Sequence, residues 1–196
     1  MHINVLSRMQ PETLPPYILL VVSETLTKTV DYSDRNHAVL FGDASAAAVV
    51  SATIPAPAGF WNCGFDSRPS AWSKVGVDWA WRFDQDGNAV QGFAIRKTSE
   101  SLQLLQDSFK NDCRGIKFIG HQANLTMLKT VCERRAIAES NHWYNVDQYG
   151  NTGCCGAPAV LSMHWDQVKP GDDIAIVVVG AGLTWTHTML RVGGEQ

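Results

Sequence analysis

The chain reads as an α/β fold in which helices are layered on a buried sheet. Three observations predict it. Apolar, β-branched runs stand at 17–23 (YILLVVS) and 174–179 (IAIVVV), the pattern of strands buried on both faces, with a short strand between them at 116–119 (IKFI). Between and after them, residues 90–109 and 125–138 repeat apolar positions at helical spacing. Strands that alternate with helices pack as α/β layers.

Each element follows from local chemistry. Residues 3–10 have a short helical pattern, ended by Pro11, Pro15 and Pro16. The run at 17–23 is expected to be a buried parallel strand, and 25–36 is polar and expected to be a loop. The apolar runs 37–41 and 46–51 flank Gly42-Asp43-Ala44-Ser45, which predicts a strand, a tight turn with Asp43 in it, and a second strand. Residues 54–82 hold four of the seven tryptophans (61, 72, 79 and 81) among prolines and glycines, a connecting excursion with aromatic anchors.

A turn on Asp86-Gly87 precedes 90–109, helical over its second part. In 125–138, Leu125, Leu128, Val131 and Cys132 share one helical face. A brief strand is expected at 144–146. A helix of small residues starts at 156 and runs to 163, with Pro158 tolerable in its first turn. Lys169 to Asp173 makes a turn. The strand at 174–179 breaks at Gly180-Ala181-Gly182, and 183–192 continues extended, giving a faint echo of 17–51.

Bulk composition narrows the function. Of 196 residues, 45% are hydrophobic and 18% charged, a globular balance. A formal net charge of -3 leaves no electrostatic footprint for nucleic acid. No apolar run approaches the ~20 residues of a membrane-spanning helix, and the first residues lack the pattern of a secretory signal. Five cysteines, at 63, 113, 132, 154 and 155, have no metal-binding spacing, and the vicinal pair cannot bridge itself without strain. Reduced thiols in a cytoplasmic protein are expected, with no metal and no cofactor.

The chemistry concentrates in two polar turns. Gly120-His121-Gln122-Ala123-Asn124 follows a buried strand and precedes a helix, the place where α/β folds put their sites. His121 and Asn124 offer hydrogen-bond donors that can stabilise charge on a carbonyl oxygen, or hold a thiolate reactive. Equally, each can be a structural or capping residue. Asn151, in Tyr149-Gly150-Asn151-Thr152-Gly153, has the same two readings: a polar site residue or a turn residue ahead of a helix. The turn at Gly180-Ala181-Gly182 is a strand break or a place where backbone N–H groups approach a substrate. Cys154 and Cys155 open a helix, where a thiol pKa can fall, but are better read as small buried residues in a tight helix contact. His2, His37, His142, His164 and His187 lack partner patterns and are read as surface or packing residues.

Four segments in order resemble the β-ketoacyl-acyl carrier protein synthase III family of the thiolase-like fold: 23–50 (SETLTKTVDYSDRNHAVLFGDASAAAVV), 120–128 (GHQANLTML), 147–161 (DQYGNTGCCGAPAVL) and 169–191 (KPGDDIAIVVVGAGLTWTHTMLR). The HQAN, GNT and G-x-G-x-TW motifs in this order carry the similarity. It implies an αβαβα layered sandwich, here an incomplete first half plus a complete second half. Residues 1–56 would be the remainder of the first half, 57–83 the Trp-rich connection, and 84–196 the second half.

The resemblance also implies a decarboxylative Claisen condensation, in which an acyl group from acyl-CoA is loaded on a Cys and a malonyl thioester on acyl carrier protein is decarboxylated and attacks it. His121 and Asn151 would stabilise the enolate oxygen, the backbone near Ala181 would form the oxyanion hole, and Asn124 would fix the His loop and a bound water. Implied partners are acyl-CoA, acyl carrier protein and a second chain, in a homodimer or a heterodimer with a Cys-bearing chain. The alternative is a non-catalytic thiolase-like subunit that dimerises with an active synthase.

Several positions depart from the family pattern. Its nucleophilic Cys would fall a few positions before Met1, and none of the five cysteines takes that place. Val179 stands where an aromatic residue is frequent. Thr126 stands where a basic residue often helps dock the carrier, with Lys117 and Lys129 nearby in sequence. An open sheet edge and uncovered apolar surface are therefore expected for the isolated chain.

Overall fold

The computed structural model describes residues 2–35, 38–108 and 115–193. His37, Phe109 and Cys113 lie outside the described residues. A five-stranded sheet forms the centre, with spatial order β3-β9-β8-β6-β7. Its strands are β3 (Ala58–Ser67), β6 (Lys117–Gly120), β7 (His142–Trp143), β8 (Asp173–Gly180) and β9 (Thr184–Val192). β6 runs parallel to β7 and β8, whereas β8–β9 and β9–β3 are antiparallel.

Side-chain alternation on the central strands sorts two apolar layers. Phe118, Ala175, Val177 and Met189 point to one face, where Leu102 and Leu105 of α2 (Gly87–Asp107) and Leu128 and Val131 of α3 (Leu125–Arg135) cover them. Ile119, Ile174 and Leu190 point to the other face, under Ala157 and Val160 of α5 (Gly156–Met163). Each fully buried Leu, Ile or Phe contributes about 1.5–3 kcal/mol. The expected α/β layering is therefore present, helices on both faces of a mixed sheet.

Caps set the helix limits. The Asp86 carboxylate accepts the Ala89 N–H at 3.1 Å and starts α2, so the expected Asp86-Gly87 turn is the N-cap of a helix of 21 residues. Helical structure thus fills the first part of 90–109 as well as the second. Ala136, in the left-handed region at φ 53°, closes α3 at Arg135, short of the expected 138. The brief strand expected at 144–146 sits earlier, as β7, and Val146 opens the short helix α4 (Val146–Tyr149). The helix over 156–163 forms as expected.

The N-terminal region departs most from expectation. After α1 (His2–Leu6), β1 (Ile18–Thr25) pairs antiparallel with β2 (Asp43–Val50), in register from Ile18 opposite Val50 to Thr25 opposite Asp43. This pair is a separate two-stranded sheet, so 17–23 is neither parallel nor buried on both faces. Leu19 and Val21 are 65% and 55% exposed, and Val49 opposite Leu19 is 66% exposed. A continuous apolar run records a demand for burial on two faces; it does not supply the second cover.

Gly42 to Ser45 is likewise no turn, because Asp43 is the first residue of β2. Its carboxylate accepts the N–H and Oγ1–H of Thr27 at 2.9 and 2.6 Å, bonds that hold it below the usual carboxylate pKa and pin the Leu26–Thr29 turn within the expected loop. Residues 58–67 of the Trp-rich stretch form β3, an edge strand of the main sheet, with Trp61 opposite Met189. Trp72, Trp79 and Trp81 are exposed around the small hairpin of β4 (Val75–Val77) and β5 (Phe83–Gln85). They anchor nothing within the chain's core. The echo between 17–51 and 174–192 has a structural counterpart, since β1–β2 and β8–β9 are both antiparallel pairs.

Candidate active site

The site residues lie at the C-terminal ends of the parallel strands and on one adjoining turn. β6 ends at Gly120, paired with Val177, so His121 and the Gly180-Ala181-Gly182 turn leave neighbouring strands at the same end of the sheet. His121 retains some solvent access, yet its ring is packed deeply enough that burial pushes the imidazole pKa down to about 4. At neutral pH it is an uncharged ring, one nitrogen a donor and the other an acceptor.

Gln122 is fully buried and holds the His loop in place. Its Nε2 donates to the Gly120 carbonyl at 2.8 Å, and its Oε1 accepts the Asn145 and Val146 N–H groups at 2.9 and 3.3 Å. Those two N–H groups begin α4, whose last residue leads into Gly150-Asn151. One side chain thus ties the His121 loop to the segment that carries Asn151. Sequence reasoning passed over Gln122; the available signal was an amide between two site residues, at a position directly after a buried strand.

Asn124 is an N-cap: its Oδ1 accepts the Met127 N–H at 3.0 Å and fixes where the His loop enters α3. Asn151 is fixed by backbone and side chain together. Its N–H donates to the Leu40 carbonyl at 2.7 Å, its carbonyl accepts the Gly42 N–H at 3.1 Å, and Phe41 and Asn151 form a parallel bridge. Gly42 is required here, since a Cβ would collide with the Tyr149 carbonyl oxygen. Asn151 Oδ1 accepts the Gly153 N–H at 3.0 Å, which sets the orientation of the amide and so the end that carries its two donor protons. Among the described residues no hydrogen bond joins the side chains of His121 and Asn151.

At the third segment, Ala181 is exposed in the turn after β8, its carbonyl accepting Thr184 Oγ1–H at 3.0 Å. The Arg68 N–H donates to the Leu183 carbonyl at 2.7 Å and anchors the far side of this turn. A cavity of about 390 Å³ opens beside it, lined by Arg68, Lys74, Asn88, Phe93, Arg96 and Leu183 among others.

The thiols are poorly suited to attack. Burial raises Cys155 and takes Cys132 to about 11, and at Cys154, whose residue is exposed overall, local desolvation of the thiol beside the Glu24 carboxylate pushes it up to about 12. Cys155 Sγ donates to the Ala44 carbonyl at 3.2 Å. The reading of the vicinal pair as packed residues therefore fits Cys155, which is buried, but not Cys154, which is exposed. Among the described residues no group of three or more His, Cys, Asp or Glu side chains is placed to hold a metal ion. His142 stacks between Phe118 and Tyr144, and His164 on Trp143, so both are packing residues.

Family models match both ends of this arrangement. The model of 3-oxoacyl-(acyl-carrier-protein (ACP)) synthase III matches residues 4–68, and that of the same enzyme's C terminal matches 116–192, which includes His121, Asn151 and Ala181. The chain belongs to the 3-oxoacyl-(acyl-carrier-protein) synthase III family. Among its synthase III relatives, the protein of Sulfurovum sp. strain NBC37-1 is 29% identical over 91% of this chain and 58% of its own length. A Deinococcus radiodurans synthase III is 31% identical over 88% of this chain and 55% of its own.

Two solved synthase III structures show the same fold. That from Thermus thermophilus superposes on 94% of this chain and 61% of its own, with a TM-score of 0.85 at 29% identity. That from Aquifex aeolicus VF5 superposes on 90% and 58%, with a TM-score of 0.83 at 26% identity. The α/β layers of the chain are thus those of the thiolase-like synthase III fold. The chain spans 58% and 59% of the length of the first curated relatives it matches.

Proposed function

We propose that the chain supplies the condensing groups of a β-ketoacyl-acyl carrier protein synthase III. In this reaction the C–C bond to the malonyl carboxylate breaks, CO2 leaves, and the electron pair passes to the thioester oxygen as an enolate. The enolate carbon then attacks the carbonyl of an acyl-Cys thioester, forming a C–C bond and releasing the Cys thiolate. His121 and Asn151 each offer one N–H donor to the enolate oxygen, and the Ala181 N–H serves the oxyanion at the acyl-Cys. Asn124 holds the entry of α3 and with it the His loop.

The observation that carries this reading is an imidazole of lowered pKa and an amide of fixed orientation on two turns that Gln122 ties together. Low pKa keeps His121 uncharged, and the Gly153 N–H on Asn151 Oδ1 fixes which end of the amide carries the donor protons. Such preorganised donors are worth most where charge develops in the transition state. Acyl-CoA and acyl carrier protein are the proposed donors of the two thioesters, with a dimer as the assembly and no metal or cofactor in the chemistry. The nucleophilic Cys is proposed to come from polypeptide beyond these 196 residues, where the family resemblance puts it, and the raised thiols of Cys132, Cys154 and Cys155 are in keeping with this.

The test is acyl loading. The chain, co-expressed with a Cys-bearing synthase III N-terminal segment, is incubated with labelled acyl-CoA and digested for mass spectrometry. The label is expected on the Cys of the added segment; label on Cys154 or Cys155 overturns the assignment.

A further inference from the structure

The inner face of β1 is apolar at Ile18, Leu20 and Val22, then ends in a carboxylate, Glu24. A half-buried charge at the end of an apolar stripe is costly unless it is bonded. Glu24 meets the turn that follows Asn151. Its Oε1 accepts the Cys154 N–H at 3.4 Å, and Ala44, opposite Glu24 in the β1–β2 register, accepts Cys155 Sγ–H at 3.2 Å. Both strands of the hairpin therefore grip the Gly153–Cys155 turn. Gly153 is held at φ +59°, and a Cβ there would come within 3.0 Å of the Glu24 Cγ, Cδ and Oε1 atoms. The Gly153 N–H is the group that engages Asn151 Oδ1.

We propose that Glu24 is a positioning residue for Asn151: by seating the Gly153–Cys155 turn it keeps the Gly153 N–H on Asn151 Oδ1 and the Nδ2 donor facing the substrate. This rests on the reading of Asn151 as a donor to the enolate oxygen. The amide cannot serve in the opposite orientation, because Nδ2 facing the Gly153 N–H would place two donors against each other. Glu24 does not touch the substrate; it acts through a backbone N–H two residues from the catalytic side chain. The bond network also explains why a glycine is needed at 153, where a side chain would displace the carboxylate.

The test uses the chain co-expressed with a Cys-bearing synthase III N-terminal segment and two readouts: CO2 release from malonyl-CoA, and hydrogen exchange of the Gly153 amide by NMR. Decarboxylation needs the two donors and no Cys. Glu24→Ala is expected to lower kcat roughly tenfold to a hundredfold with KM within about twofold, the cost of misplacing a catalytic group by a fraction of an ångström. The Gly153 amide is expected to exchange faster in the same variant. Glu24→Gln keeps an acceptor oxygen and is expected to restore both. Unchanged Gly153 protection in Glu24→Ala, or a Gln variant as impaired as the Ala variant, overturns the proposal. Should Glu24→Ala fail to fold, Glu24→Asp, whose carboxylate is one methylene shorter, reads the same bond in a folded chain. A wild-type assembly that releases no CO2 overturns the enolate reading, while the exchange measurement still decides whether Glu24 holds the Asn151 turn.

Discussion

Gln122 Oε1 accepts the Asn145 N–H at 2.9 Å in a fully buried position, and this bond couples the His121 loop to the segment leading to Asn151. Two proposed catalytic residues thirty positions apart in sequence thereby lie on segments joined by one amide. Removing it leaves the Asn145 N–H buried without its acceptor.

Gln122→Ala is expected to destabilise the chain by about 1–3 kcal/mol, the cost of stranding a buried donor together with a small cavity. Urea denaturation followed by circular dichroism measures it. A loss below about 0.5 kcal/mol would show that the two segments are held by other contacts.

In the assembled enzyme, His121→Ala and Asn151→Ala are each expected to lower malonyl decarboxylation and condensation by about a hundredfold or more, the scale of losing one oxyanion donor. Acyl transfer from acyl-CoA to the Cys should persist. Loss of loading with decarboxylation intact would reverse the assigned roles.

Stability should fall in acid. His121 and His142 are pushed by burial from 6.5 down to about 4, and His187 is lowered as well. Between pH 6.5 and about 4 the unfolded chain therefore binds more protons than the folded one, so unfolding free energy rises with pH across that window. Urea midpoints at pH 7.0, 5.5 and 4.5 should decrease in that order. A flat profile would mean that these imidazoles titrate normally.

The outer face of the β1–β2 hairpin predicts association. Leu19, Val21 and Val49 expose adjacent apolar side chains, with Tyr17 beside them at the start of the strand. Leu19→Lys combined with Val49→Thr is expected to reduce self-association of the chain in sedimentation velocity without lowering its thermal midpoint. A wild-type chain that sediments as a monomer at all concentrations contradicts this.

Much of the architecture was legible in the sequence. The runs at 116–119 and 174–179 became central strands because both of their faces find helical cover, and 156–163 became a helix over the full span its pattern suggested. The HQAN and GNT motifs located the two polar turns, and their order with G-x-G-x-TW pointed to the family. The misplaced elements were those whose cover or pairing partner the local pattern does not encode. The run at 17–23 carried the same signal as 174–179, yet among the described residues β1 pairs only with β2, and Leu19 and Val21 on its outer face are exposed. Residues 58–67 looked like a connection because Gly and Trp interrupt any alternation, and pairing with β9 made them a strand.

The sequence by itself determined that the chain builds a layered α/β core, that His121 and Asn151 stand on turns beside it, and that no segment has the charge of a nucleic-acid binder. Those properties depend on residue type and spacing, which are local. Tertiary structure alone decided that burial lowers the His121 pKa, and that Gln122 and Glu24 hold the two turns in place. Desolvation and hydrogen-bond direction depend on which atoms lie within a few ångströms, and those neighbours come from strands and loops up to 130 residues away.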